Sequence, residues 1–200
     1  MKRLGILLSG RGSNFEAIAN NVKAGNIAAE IAVVIGNKPD AQGLETADAM
    51  GLDAVYIPSK GLKREEFDRR VVALLNEKQV DLVCLAGFMR LLSPYFVHEF
   101  ANRIINIHPS LLPSFPGLDA QQQALEHGVK VTGCTVHFVD AGLDSGPIIA
   151  QADVPIEDND TVDSLAARIL TEEHRLYSEA INIVLSGRYR IEGRCVVRAT

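Results

Sequence analysis

An amide and an imidazole stand two positions apart in the segment Asn106-Ile107-His108-Pro109. Alternate residues of an extended strand point to the same face, so the two side chains are expected side by side. An amide donor beside an imidazole suits the stabilisation of an oxyanion that develops during acyl transfer. The competing interpretation is that Asn106 caps a turn and His108 is a hydrogen-bonded residue at a strand end. The long proline-rich stretch that follows favours the catalytic interpretation.

Two aspartates, Asp140 and Asp144, lie in a glycine-bearing turn after the predicted strand at 131–139. A carboxylate paired with a histidine holds the ring and raises the pKa of that histidine, a role open to Asp144. Asp-Ser-Gly is also common turn chemistry, so a purely structural Asp144 is the alternative. Strand alternation places Thr135 and His137 on one face, and we interpret His137 as a packed or hydrogen-bonded strand residue.

The segment Ser9-Gly10-Arg11-Gly12-Ser13-Asn14 separates the first predicted strand from the first predicted helix. Glycines allow close backbone approach, and a helix N-terminus presents free amides and a partial positive charge, which together form an anion site. The segment matches neither the dinucleotide fingerprint nor a P-loop. A tight turn capped by Ser13 or Asn14 explains it equally well, but a position at the carboxyl end of a strand favours phosphate.

Metal, nucleic-acid and membrane functions are disfavoured by the sequence. The net charge of −5 argues against a nucleic-acid surface. No apolar stretch approaches the roughly 20 residues of a membrane helix. Three scattered cysteines without a C-x-x-C pair predict a reducing, cytoplasmic setting. No metal site is expected from the spacing of the histidines at 98, 108, 127, 137 and 174.

Apolar runs alternate with helical patterns and predict an α/β fold, a doubly wound, mostly parallel sheet of Rossmann-like type with a mixed C-terminal part. The predicted strands lie near 3–8, 31–36, 53–57, 81–85 and 103–107, with helices near 14–23, 41–50, 62–78 and 94–100. Farther along are a helix at 119–127, a hairpin-like pair at 131–139 and 147–155, a helix at 161–186 and a strand at 188–191.

A carboxylate interrupts the apolar stripe of the predicted helix at 161–186. Thr161 is a plausible N-cap, and Glu173 lies near the middle of a stripe formed by Val162, Ala166, Ile169, Tyr177, Ala180 and Val184. A buried charge is costly unless it is paired, protonated or facing a cleft. We favour a cleft-facing, ligand-binding Glu173 over a buried ion pair with an arginine.

Four segments, SGRGSN, LAGFMRLLSP, INIHPSLLPSFPG and GCTVHFVDAGLDSGPII, resemble in order and spacing the phosphoribosylglycinamide formyltransferase family of purine biosynthesis. The resemblance spans residues 3–190. It implies one formyltransferase domain over 1–200, with a phosphoribosyl-binding half at about 1–100 and a folate-binding, catalytic half at about 101–200. The implied reaction moves the formyl group of 10-formyltetrahydrofolate to the amine of phosphoribosylglycinamide, without a metal; a homodimer stays open.

The same resemblance implies roles for individual residues. Asn106, His108 and Asp144 match the catalytic trio, Gly12, Ser13 and Asn14 the phosphate site, and Glu173 a contact to the ribose hydroxyls. The implied folate site comprises Arg64, Met89, Arg90, Leu91, Leu92, Val97, Ile104, Asn106, Asp140 and Asp144. Leu170 departs from relatives that carry a polar residue there. On the residues alone, Met89 and Leu92 would be core and Arg64 a solvated helix charge.

Two rival functions are compatible with these residues. Hydrolysis of 10-formyltetrahydrofolate would use the same trio with water as the acceptor, but it would not need a phosphate loop. A non-catalytic nucleotide-binding module would not require Asn106, His108 and Asp144 to converge.

Overall fold

The computed structural model describes residues 1–199, which divide into two compact units, Met1–Asn106 and the residues from Ile107 onward. Each unit is built around its own strands. The division falls within the strand that carries Asn106 and His108, so that strand begins in the first unit and ends in the second.

The first unit is a parallel sheet with the strand order β3-β2-β1-β4-β5. From β1 the chain moves outward to β3, then returns to the other side of β1 for β4, so a switch point lies between β1 and β4. The predicted doubly wound sheet is therefore confirmed. The elements are β1 Lys2–Leu8, α1 Ser13–Lys23, β2 Ala29–Gly36, α2 Gln42–Ala49, β3 Ala54–Tyr56, α3 Arg64–Glu77, β4 Leu82–Leu85, α4 Pro94–Glu99 and β5 Ile104–His108.

The second unit is mixed, with the strand order β6-β7-β9-β8. The predicted hairpin is confirmed as the antiparallel pair of β6 and β7. The sequence prediction missed β9, a short strand parallel to β7 and antiparallel to β8, because only half of its residues are turned away from solvent. The elements are α5 Ala120–Glu126, β6 Val131–Phe138, β7 Ile148–Pro155, α6 Val162–Ser186, β8 Tyr189–Glu192 and β9 Cys195–Arg198.

The long helix α6 begins with a capping box, as the predicted N-cap Thr161 requires. The Thr161 hydroxyl accepts a hydrogen bond from the Ser164 amide at 3.1 Å, and the Ser164 hydroxyl accepts one from the Thr161 amide at 2.9 Å. The predicted stripe is correct at Ile169, but its first member, Val162, is exposed. Glu173 does lie on the buried face, where it is 7% exposed.

Each unit buries one free thiol. Cys84 in β4 and Cys134 in β6 are both fully buried, whereas Cys195 in β9 is exposed. Burial raises the pKa of both inner thiols, to about 12 for Cys134, where the charge of Glu173 is a second cause. Neither inner thiol forms a thiolate near neutral pH, so both behave as small packing residues. In the described part of the chain, no helix has the length and apolarity to cross a membrane.

The glycine at position 12 is required by packing within the first unit. Gly12 is the N-cap of α1 and has a φ of 82°. A Cβ at this position would lie 2.8 Å from the Cα of Gly43 in α2, so the two helices meet through their backbones. This packing is a second reason for glycine at position 12, beside the close approach of a ligand, which stays a prediction. At Gly10, by contrast, an added Cβ would have no neighbour within 4 Å.

We predict that Gly12→Ala destabilises the protein and that Gly10→Ala does not. The left-handed backbone alone costs an alanine about 1–2 kcal/mol, to which the contact with Gly43 adds. At roughly 2–4 °C per kcal/mol for a chain of this size, the Tm should fall by at least about 3 °C. Thermal unfolding followed by circular dichroism measures both variants. Equal Tm values for Gly12→Ala and the unmutated protein would contradict the packing argument.

Candidate active site

The carboxylate of Asp144 lies between two buried imidazole rings. Its Oδ2 atom is 3.4 Å from Nδ1 of His108, and its Oδ1 atom is 3.7 Å from Nε2 of His137. His108 is 5% exposed, His137 is 2% exposed and the Asp144 side chain is 13% exposed. The Asp144 Oδ2 atom also accepts a hydrogen bond from the backbone amide of Gly117 at 2.9 Å. The structure thus places Asp144 beside His108, a pairing that linear spacing could not show.

The ring of His108 is held from both sides. Its Nε2 atom is 2.8 Å from the carbonyl oxygen of Phe115, and its Nδ1 atom faces Asp144. Both partners are acceptors when the carboxylate is ionised, an arrangement that a doubly protonated ring satisfies in full. The two contacts fix the orientation of the His108 ring.

His137 has a different environment from His108. Its Nδ1 atom is 2.8 Å from the carbonyl oxygen of Phe138, the next residue in the chain. Burial lowers the pKa of His137, while the Phe138 carbonyl and the charge of Asp144 act in the opposite direction. Desolvation is the largest cause, so His137 favours the neutral form. It places a second ring against the carboxylate without adding a second charge.

The proline-rich loop after β5 is fixed by Thr135, a fully buried residue of β6. The Thr135 hydroxyl donates to the carbonyl oxygen of Ser110 at 2.6 Å and accepts from the amide of Leu112 at 3.0 Å. From β7, Gln151 donates to the Leu112 carbonyl at 2.9 Å. These bonds position the part of the loop that supplies the Phe115 carbonyl and the Gly117 amide.

The turn between β6 and β7 presents Asp144 with a strained backbone. Asp144 has a φ of 48°, in the left-handed region that non-glycine residues seldom adopt. Asp140 stabilises the turn by accepting from the Gly142 amide at 3.0 Å and the Ser145 hydroxyl at 2.7 Å. A Cβ on Gly146 would lie 1.9 Å from the Phe138 carbonyl oxygen, so only glycine fits there. The Asp-Ser-Gly turn is therefore structural and also delivers a buried carboxylate.

Asn106 occupies the position that the sequence predicted for it. It is the third residue of β5, is half-buried and lies two residues before His108. Both residues therefore share one face of one strand.

The apolar residues of the implied folate site lie mostly in the connection between β4 and α4. Met89 and Leu91 are 64% and 52% exposed, so the interpretation of Met89 as core is wrong. The Arg90 guanidinium stacks over the ring of Phe67 at 4.8 Å. Leu92 and Val97 are half-buried and Arg64, the first residue of α3, is exposed, whereas Ile104 in β5 is buried. Met89 and Leu91 are large, apolar and exposed to solvent two residues apart, so they are suited to contact a flat apolar ligand.

The N-terminus of α1 lacks a side-chain cap. Its N-cap is Gly12, and neither Ser13 nor Asn14 caps it as the structural interpretation of the loop expected. The first-turn amides are thus left to another acceptor. This geometry favours an anion at the loop, although Asn14 itself is buried.

Glu173 sits on the inner face of α6, close enough to Cys134 of β6 for its charge to raise the pKa of that thiol. Arg175, the arginine nearest to it in sequence, pairs instead with Glu172 at 2.8 Å and with Glu179 at 2.6 Å.

The structure confirms His137 as a buried, hydrogen-bonded strand residue, whereas sequence reasoning gave Thr135 no role. Both are buried polar residues on one face of β6, and that alternation was the available signal. The Phe115 carbonyl and the Gly117 amide leave no trace in residue types, because any residue supplies such groups. Within residues 1–199, no group of three His, Cys, Asp or Glu residues could hold a metal ion.

Proteins of purine biosynthesis share close to half of this sequence. The chain is 48% identical over 189 residues to the trifunctional purine biosynthetic protein adenosine-3 of Drosophila melanogaster, covering 93% of this chain but only 14% of that protein. It is 44% identical over 187 residues to phosphoribosylglycinamide formyltransferase of Escherichia coli, covering 93% of this chain and 88% of that one. The chain therefore spans a small part of the multifunctional relatives and most of the shorter one.

Solved structures agree with these relatives. Glycinamide ribonucleotide transformylase 1 from Symbiobacterium toebii superposes with a TM-score of 0.98 at 53% identity, over 100% of this chain and 95% of that chain. A formyltetrahydrofolate deformylase from Pseudomonas syringae pv. tomato superposes with a TM-score of 0.92 at 28% identity, over 100% of this chain and 66% of that chain. The sequence profile described as formyl transferase matches residues 2–181, and the chain belongs to that family.

Proposed function

We propose that this protein transfers the formyl group of 10-formyltetrahydrofolate to the amine of phosphoribosylglycinamide, giving the N-formyl product and tetrahydrofolate in purine biosynthesis. The observation that carries the proposal is the contact of His108 with Asp144. His108 lies two residues after Asn106 in the same strand. A non-catalytic module needs no such contact between an imidazole and a carboxylate, so the contact counts against that alternative.

The chemistry follows from these three side chains. The substrate amine attacks the formyl carbon, and the carbonyl oxygen becomes an oxyanion. The Asn106 amide and a ring N–H of His108 stabilise that oxygen. A charged oxygen is a stronger acceptor than the neutral Phe115 carbonyl, so the His108 proton is redirected to it. Asp144 keeps the imidazolium oriented and holds a water that carries the amine proton to the folate nitrogen. The oxyanion then collapses to the formamide, and the protonated folate nitrogen leaves as the amine of tetrahydrofolate.

The remaining residues bind the two substrates. We assign the phosphate to the loop Gly12–Asn14, because the amides of α1 have no side-chain cap there. The exposed side chains of Met89 and Leu91 contact the pterin, and Arg64 meets the negatively charged glutamyl tail. Glu173, a carboxylate on the buried face of α6, accepts hydrogen bonds from the ribose hydroxyls.

Hydrolysis of 10-formyltetrahydrofolate is the second candidate, favoured by the similarity to the deformylase. The uncapped helix at the glycine loop favours the transferase over the hydrolase, since a hydrolase has no phosphorylated acceptor to bind.

Three free thiols, two of them buried, support a reducing, cytoplasmic location. A homodimer stays a prediction, which sedimentation of the purified chain tests.

We predict that release of tetrahydrofolate from 10-formyltetrahydrofolate depends on phosphoribosylglycinamide. The purified protein is incubated with the folate, with and without the acceptor, and both tetrahydrofolate and N-formyl product are quantified. Equal amounts of the two products, formed only when the acceptor is present, support transfer. Release of formate at the same rate without the acceptor would instead identify a hydrolase.

We predict that His108→Ala and Asp144→Asn each lower kcat by about 10²–10³-fold, the usual loss for one group that stabilises an oxyanion. Steady-state kinetics at saturating substrates, together with the Tm of each variant, separates catalysis from folding. His98→Ala is the matched control, because His98 is an exposed histidine. A kcat near the unmutated value in either variant would remove that residue from the mechanism.

We predict that Glu173→Gln raises the Kd for phosphoribosylglycinamide by about tenfold or more, since a hydrogen bond to a charged group is lost. The Kd for tetrahydrofolate and the Tm should change little, as the new side chain has nearly the same shape. Titration calorimetry measures both ligands. Glu179→Gln is the control, because Glu179 is exposed and pairs with Arg175. A fall in Tm with unchanged affinity would show that Glu173 is structural.

A further inference from the structure

A chain of hydrogen bonds crosses the carboxyl ends of four parallel strands of the first unit. After β3, the Ser59 hydroxyl accepts from the Asn37 side-chain amide at 3.2 Å. After β2, the Asn37 side-chain oxygen accepts from the Ser9 hydroxyl at 2.6 Å. After β1, the Ser9 hydroxyl accepts from the backbone amide of Met89, which follows β4, at 2.9 Å. The chain thus passes through the switch point between β1 and β4.

Ser9 is the residue where two ligand-binding segments meet. It directly precedes Gly10 and Arg11, which lead into the loop Gly12–Asn14 that we assign to phosphate. Its backbone amide donates to the Gly87 carbonyl at 3.1 Å, and its hydroxyl accepts from the Met89 amide. Ser9 and Asn37 are both buried, so these bonds are sheltered from competition with water.

The segment Gly87–Leu92 is also fixed at its far end. Asp68 of α3, a fully buried carboxylate, accepts a hydrogen bond from the Ser93 amide at 2.5 Å. Phe67 stacks on Phe88 with a centroid distance of 6.3 Å. Because α3 holds the far end of this segment, any shift of the segment changes its hydrogen bonds to Ser9.

We propose that Ser9 is a positioning residue that couples the phosphate loop to the folate-binding segment, so that binding of either ligand tightens binding of the other. The proposal rests on the proposed function, because it concerns the two substrates of that reaction. A phosphate held by the Gly12–Asn14 amides orders the loop that begins at Ser9. Ordered Ser9 holds the Met89 amide, and with it the exposed apolar side chains of Met89 and Leu91, in place for the pterin. By thermodynamic linkage, bound folate raises the affinity for phosphoribosylglycinamide by the same factor.

Ser9→Ala removes the hydroxyl that links the two segments and keeps the backbone bond to Gly87. Titration with tetrahydrofolate, which has no formyl group to transfer, is carried out with and without saturating phosphoribosylglycinamide. In the unmutated protein, the acceptor should lower the Kd for tetrahydrofolate about fivefold or more. In Ser9→Ala, the ratio of the Kd for tetrahydrofolate without the acceptor to the Kd with it should lie within about twofold of one. Ser59→Ala, which removes a hydroxyl from the other end of the same chain of bonds, should keep the coupling.

A second measurement needs no variant. Hydrogen exchange at the Met89 amide of the unmutated protein should slow when phosphoribosylglycinamide binds alone. Unchanged exchange, or full coupling in Ser9→Ala, would overturn this inference while both ligands still bind. Failure of the unmutated protein to bind either ligand would overturn the proposed function itself, and the inference with it.

Discussion

A carboxylate largely withdrawn from water must find donors, and this requirement at Asp144 organises the second unit. Desolvation of such a group costs several kcal/mol unless partners replace the lost water. Asp144 obtains them from the Gly117 amide and from the edge of the His108 ring that carries Nδ1. The proline-rich loop, the turn after β6 and the end of β5 therefore have to meet in one arrangement, and Thr135 supplies the bonds that hold it.

The two units solve different problems with different local structure. Parallel strands bring loop after loop to a common edge, which suits the binding of extended ligands. The loop that joins two antiparallel strands can instead hold a carboxylate against imidazole rings, as the loop between β6 and β7 does with Asp144. The first unit presents helix amides without a side-chain cap and exposed apolar side chains, while the second holds a carboxylate between two imidazole rings.

The sequence predicted the strands of the first unit because fully buried strands are continuous apolar runs. It missed β9, where only the two middle residues, Val196 and Val197, are half-buried. The alignment of Asn106 with His108 was predictable from strand geometry alone. The approach of Asp144 was not, since it depends on a loop whose contacts run through the backbone of Phe115 and Gly117. The packing role of Gly12 was not predictable either, because its partner Gly43 is distant in sequence.

The placement of the thiols gives each unit its own reporter of opening. Cys84 and Cys134 are sealed in different units, and neither ionises readily while it is buried. A thiol reagent in excess therefore modifies Cys195 at once and reaches the inner two only when the surrounding unit opens. The modification rates of the inner two, resolved by peptide mass, give the opening free energies of the two units separately. The chain thus allows a direct measurement of whether its two units open together or independently.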